Sequence, residues 1–119
     1  MDQENGVESQ IEWDDFRRVD IRAGRILSAE PLAKARKPAY VLTIDFGPLG
    51  QKRSSAQITT LYDADELPGK LVLAVVNFPP KRIAGFVSEV LVLGLDSESG
   101  EGVSLIGPDH DVQPGSRLY

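Results

Sequence analysis

Three short runs of cations carry most of the chemistry in this sequence. Lys34, Arg36 and Lys37 fall within four residues, Lys52 and Arg53 are adjacent, and so are Lys81 and Arg82. Lysine and arginine at this density suit phosphate oxygens, which they bind by releasing counterions, with a steep dependence on salt. Neutral hydrogen-bonding groups stand close by: Ser54, Ser55, Gln57 and Asn77. Such groups suit ribose, base edges or a peptide backbone. The competing reading is three solvated loops and a polar strand face, and residue types alone leave both open. Aromatic residues near the cations are few: Tyr40, Phe78 and Phe86. Stacking platforms for single-stranded bases need exposed rings, so a nucleic-acid ligand here would be a folded RNA read by shape.

Catalysis finds little support. There is no cysteine and one histidine, His110. Thiolate nucleophiles, disulfides and two-imidazole sites are therefore excluded. Asp109-His110-Asp111 beside Pro108 reads as a polar turn, not a metal corner. Asp14-Asp15 and Asp63-x-Asp65-Glu66 are carboxylate pairs with local capping roles. Ser54 and Ser55 have no base that the sequence places beside them, and there is no glycine-rich phosphate loop. The expectation is a protein that is not an enzyme, with no cofactor and no metal. The lack of cysteine fits a reducing compartment, and a cytoplasmic location is expected. No apolar run is long enough to span a bilayer, so no membrane insertion is expected, and the acidic N-terminus is unlike a targeting peptide.

The net charge of −5 hides an uneven distribution. Residues 1–15 hold six acids and no base. Residues 96–119 hold five acids against Arg117. Residues 16–95 hold twelve bases and seven acids. A basic body thus lies between acidic ends, and an acidic total does not exclude a polyanion site.

These residues need a scaffold. At 119 residues the chain supports one domain with one core. Residues 1–8 read as a disordered acidic leader, and 9–119 as a single domain with a C-terminal extension. Ser9 and Glu12 have capping-box spacing, which predicts a short helix over 10–17. Val19–Ala29 predicts a long strand. Its apolar phase shifts at Gly24, where a bulge or bend is expected. Tyr40–Phe46 alternates, with Tyr40, Leu42, Ile44 and Phe46 on one face. Lys52–Thr59 predicts a more polar strand with Ala56 and Ile58 inward. Asp63–Leu67 predicts a helical turn capped by Asp63. Leu71–Phe78 predicts a central strand ended by Pro79-Pro80. Lys81–Phe86 reads as a basic loop, Val87–Leu95 as another strand, and Val103–Ile106 as a short one.

The order is a long bent strand, two strands, a short helical turn, then two strands. That is the order of an OB-fold: all-β, a five-stranded Greek-key barrel with short helices, here with N- and C-terminal extensions. Such a barrel is a platform and does not itself dictate function.

Four stretches carry a resemblance. They are Val-Asp-Ile-Arg-Ala-Gly-Arg-Ile (19–26), Ala-Arg-Lys-Pro-Ala-Tyr (35–40), Lys-Arg-Ser-Ser-Ala-Gln-Ile (52–58), and the long run from Val76-Asn77-Phe78-Pro79-Pro80-Lys81-Arg82 to Leu93-Gly94. Together they resemble the CsaA-like members of the tRNA-binding-domain family, from about Trp13 to Gly94. The resemblance implies an OB barrel, a homodimer, and two partner classes: folded tRNA, and unfolded or preprotein polypeptides held by an export-related chaperone. It places the ligand face on Arg36, Lys37, Ser54, Gln57, Asn77, Lys81, Arg82 and Ser88, with Glu89 orienting its neighbours. Ser88-Glu89-Val90-Leu91 departs from the Ser-x-x-Met form of the synthetase-linked members. Apolar residues outside the five strands, namely Trp13, Phe16, Val103, Leu105, Leu118 and Tyr119, are expected to form the dimer interface.

Overall fold

The structure is a computed structural model that describes residues 6–119. Most of the expected acidic leader, residues 1–5, lies outside the described residues. The chain forms a nearly closed, five-stranded antiparallel barrel of OB type, with little helix.

Strand β1 (Ile21–Pro31) is the spine. Its first half, Ile21–Arg25, pairs with β4 (Leu71–Val75), and its second half, Arg25–Pro31, pairs with β2 (Tyr40–Asp45). Strand β3 (Gln51–Ala56) follows β2, and with the short β7 (Leu91–Val92) the sheet order is β3-β2-β1-β4-β7. The alternation expected along β2 holds: Tyr40, Leu42, Ile44 and the following Phe46 are buried. With Ile26, Leu67 and Val72 they form the centre of one core. The helical turn at Ala64–Glu66 is capped as expected, the Asp63 N–H donating 2.7 Å to Glu66 Oε1.

The bulge in β1 lies between Ile26 and Ser28, not at Gly24. Gly24 meets a different demand. A Cβ there would stand 2.5 Å from Ile44 Cγ2 and 2.7 Å from Phe46 Cε1, so the glycine lets the core close. Helix α1 (Trp13–Arg17) is shorter than expected, and its box is shifted three residues along. The Glu12 N–H donates 2.9 Å to the Asp15 carboxylate, and the helix starts after Glu12. Ile11 is 68 % exposed, so no buried contact rewards an earlier turn.

The basic loop and the long strand expected over 81–95 are corrected together. The segment breaks into β5 (Lys81–Ile83), β6 (Phe86–Ser88), β7 (Leu91–Val92) and β8 (Gly94–Asp96). Each piece takes a different partner: β6 pairs with β5, β7 with β4, and β8 with β9 (Val103–Leu105). Apolar content promised a strand but could not say that the partner changes twice. Ala84 and Gly85 make the β5–β6 turn with φ of 51° and 85°, the doubly positive pattern of a tight hairpin.

Two side chains help close the barrel between β3 and the 88–89 segment. The Glu89 N–H donates 2.7 Å to the Arg53 carbonyl, while the Arg53 N–H donates 2.9 Å to Glu89 Oε1. The Ser55 N–H donates 3.2 Å to Ser88 Oγ.

The C-terminal segment covers the edge of β1 that β2 leaves open. Gly115 and Leu118 donate to the Ala23 and Ile21 carbonyls at 2.8 and 2.9 Å, and Ser116 accepts from Ala23. One carboxylate secures this seam. Asp20 binds Arg22 at 2.6 Å and Arg117 at 3.5 Å. Arg22 also donates to the Gly115 carbonyl, and Arg117 to the Arg17 carbonyl. The Arg22 hydrogen bond holds the Asp20 carboxyl below its usual range. Partial burial opposes that, and the charges of Arg22 and Arg117 add to it.

Candidate ligand groove

Two concavities of about 500 and 520 Å³ share Ser55 and Ile83, and so make one groove. One half is walled by Phe78, Pro79, Ile83, Val90 and Leu91, with Lys81, Ser88 and Glu89 as its polar members. The other half is lined by Lys34, Arg36, Lys37 and Gln57, with Leu32, Ala35, Ala39 and Ala84.

Strand alternation decides which side chains arrive there. On β5, Lys81 and Ile83 line the groove, whereas Arg82 between them takes the opposite face with Val87. On β3, Ser55 lines the groove. Ser54 points the other way, is 0 % exposed, and donates 2.9 Å to the Ser55 carbonyl. Arg53 is on the Ser55 side, with its guanidinium 4.7 Å from the Phe86 ring centroid. Phe86 and Tyr40 are core rings, and Phe78 remains 54 % exposed in the groove wall.

Of the residues singled out from sequence, the fold therefore brings together Lys34, Arg36, Lys37, Ser55, Gln57, Lys81 and Ser88. It separates four others from them. Ser54 is sealed in the core because it falls one residue out of phase. Arg82 faces away for the same reason. Lys52 and Asn77 line a smaller cleft of about 210 Å³ with Asp20, Phe46, Leu49 and Val76. The Asn77 amide is engaged there, donating 2.8 Å to the Arg18 carbonyl and accepting 3.0 Å from the Asp20 N–H. Its surroundings make it part of the structural seam.

The apolar wall went unread in the sequence. One signal was present: Phe78 directly precedes Pro79-Pro80, which cannot extend a ladder, so this ring leaves the sheet. Nothing local marked Val90 or Leu91, because their placement follows from the break between β6 and β7.

Lys34, Arg36, Lys37 and Lys81 form no salt bridge among the described residues. Glu89 is the one acid lining the groove among the described residues. A separate polar cleft of about 330 Å³ lies between Arg25, Tyr62, Lys70 and Asp111, where Arg25 donates 2.8 Å to the Gly69 carbonyl. Asp109 and His110 lie 3.5 Å apart on a turn, both almost fully exposed. No helix among the described residues is long and apolar enough to cross a membrane.

The residues expected at a dimer interface divide. Trp13 is 65 % exposed and packs its ring 5.5 Å from that of Phe16, while Tyr119 is fully exposed. Leu118 is half-buried, its N–H bonded to the Ile21 carbonyl. Val103 and Leu105 instead pack against the barrel core, where the β8–β9 hairpin folds back on it.

The model of the family described as "Putative tRNA binding domain" matches residues 21–117. The chain is 36% identical over 109 residues to the methionine–tRNA ligase of Methanosarcina acetivorans, covering 92% of this chain and 15% of the ligase. It is 35% identical over 112 residues to that of Nitrosomonas europaea, covering 94% of this chain and 16% of the ligase. The chain thus spans only about 15% of the length of the curated relatives it matches. Among solved structures, the chaperone CsaA of Bacillus anthracis superposes with a TM-score of 0.86 at 48% identity, covering 93% of this chain and 100% of that one. The CsaA chaperone protein of Picrophilus torridus superposes with a TM-score of 0.85 at 50% identity, covering 92% and 100%. A protein related to methionyl-tRNA synthetase from Pyrococcus horikoshii reaches 0.82 at 27% identity, covering 94% and 100%. With its barrel, its matched residues and these neighbours in agreement, the chain belongs to the tRNA-binding-domain family.

Proposed function

We propose that this protein is a non-catalytic, CsaA-like chaperone that assists protein export by holding unfolded or preprotein segments in the groove. The observation that carries this reading is the apolar wall of Phe78, Pro79, Ile83 and Leu91, backed by the buried Val90, open to solvent and continuous with the cationic half. A phosphate backbone gains nothing from such a wall, whereas an unfolded chain exposes apolar side chains that do. The two CsaA neighbours, covered along their whole length, support it. The protein is expected to suppress aggregation of a chemically denatured client at near-stoichiometric amounts. Phe78→Glu with Leu91→Glu, both at exposed positions, should abolish this without moving the thermal midpoint. No suppression by the parent, or full suppression by the variant, overturns the reading.

A second reading is recognition of folded tRNA, favoured by Lys34, Arg36 and Lys37, which form no salt bridge among the described residues, and by the family match. Binding of tRNA should then weaken by orders of magnitude between low and moderate salt. A flat salt response, or no binding at low salt, counts against it. Either role places the protein in the cytoplasm. We also infer a homodimer through Trp13, Phe16, Leu118 and Tyr119, where the exposed rings of Trp13 and Tyr119 favour burial against a second copy. Sedimentation should report twice the chain mass, and Trp13→Glu should halve it.

A further inference from the structure

We propose that the groove selects polypeptide segments in which an apolar stretch adjoins acidic residues, and disfavours those in which it adjoins basic ones. This rests on the chaperone reading above and names its class of client, a segment of the mature part of a preprotein, since a signal peptide sets its apolar run beside basic residues.

The two halves differ in charge. In the apolar half, Lys81 and Glu89 offset each other. In the other half, Lys34, Arg36 and Lys37 have no acid among the residues that line it. They form no salt bridge among the described residues, so their charge faces whatever enters. The halves meet at Ser55 and Ile83, so an extended segment that fills the apolar half continues past that seam into the cationic one.

Three features follow for the occupant. Its apolar side chains belong against Phe78, Ile83 and Leu91. The adjoining residues meet three positive charges, where carboxylates are attracted and lysines repelled. A uniformly anionic chain fits only one half, because in the other it meets Glu89 and an apolar wall. The groove therefore favours a mixed polypeptide over a polyanion for full occupancy, and a nucleic acid would compete only for the cationic half.

The test uses the full chain and labelled peptides of equal length, read by fluorescence anisotropy at low and moderate salt. One leucine- and valine-rich core is flanked by three aspartates, three serines or three lysines. A fourth peptide carries aspartates around a serine core. We expect the acid-flanked apolar peptide to bind about tenfold tighter than the lysine-flanked one, with the gap narrowing as salt rises. Lys34→Glu with Arg36→Glu and Lys37→Glu, in an exposed loop, should reverse that order while leaving the thermal midpoint in place.

Equal binding of the three apolar peptides overturns the selectivity and leaves the chaperone reading intact. Acid preference surviving in the triple variant removes the cationic half as its source. Equal binding of the serine-core peptide shows simple polyanion binding and overturns the mixed-client claim. Failure of every peptide to bind overturns the chaperone reading itself.

Discussion

At the seam between β1 and the C-terminal segment, charged groups are fully engaged. Asp20 holds Arg22 and Arg117, those arginines reach the Gly115 and Arg17 carbonyls, and Asn77 ties the Arg18 carbonyl to the Asp20 N–H. In the groove, Lys34, Arg36, Lys37 and Lys81 form no salt bridge among the described residues. Both regions are rich in cations, but their energetics oppose each other. Cations matched to a carboxylate and to carbonyls stabilise the fold locally. Clustered like charges repel one another and cost stability, a cost tolerated where a ligand supplies the missing partner. Seam residues should therefore report on stability and groove residues on binding.

The largest effect is expected from charge reversal at Lys34, Arg36 and Lys37. Binding of tRNA at low salt should fall by about a hundredfold, roughly 2.7 kcal/mol, with little change in melting temperature. A loss of stability comparable to the loss of binding would break the distinction.

Next comes the seam. Asp20→Asn should destabilise by about 1–3 kcal/mol through loss of a charged hydrogen-bond acceptor, while groove binding persists in the folded protein. The pH dependence has a definite sign. Because Arg22 lowers the Asp20 carboxyl in the folded state, its contribution is present above the unfolded value of about 3.9 and is lost as pH falls through the folded value. Parent and variant should thus differ by a constant amount from pH 5 to 8 and converge in strong acid. Denaturation midpoints across that range check this.

Asn77 offers a sharper division, since family resemblance puts it on the ligand face and its hydrogen bonds put it in the seam. Asn77→Ala should cost about 1 kcal/mol of stability and leave tRNA and peptide affinities within twofold. A selective loss of affinity would return Asn77 to the ligand face. The smallest effect is expected at Ala84, a non-glycine residue at φ 51° in the hairpin that bounds both halves of the groove. Ala84→Gly should stabilise by less than about 1 kcal/mol, relief of the left-handed conformation exceeding the added chain entropy. A fall in the denaturant midpoint would show that the turn carries no such strain.

Local pattern made much of the barrel legible. The period-two burial of Tyr40, Leu42, Ile44 and Phe46 and the Asp63–Glu66 cap are each properties of a few neighbouring residues, whereas the strand expected to run to Pro79-Pro80 ends at Val75. They establish the all-β class and the element order. Local pattern could not show that Gly24 makes room for Ile44 and Phe46 while the bulge falls at Leu27, since both depend on register with β2.

The candidate site divides along the same line. The amino-acid sequence alone determined that a basic body carries three cationic runs, and that Lys34, Arg36 and Lys37 share one loop. Only the tertiary structure decided which cations meet. Lys81 faces the groove and Arg82 turns away, Ser55 is at the surface and Ser54 in the core, and Lys52 and Asn77 go to another cleft. A one-residue change of phase reverses the face on which a strand presents a side chain. That phase is set by pairing between segments distant in the chain, as where Glu89 and Ser88 close the barrel against β3.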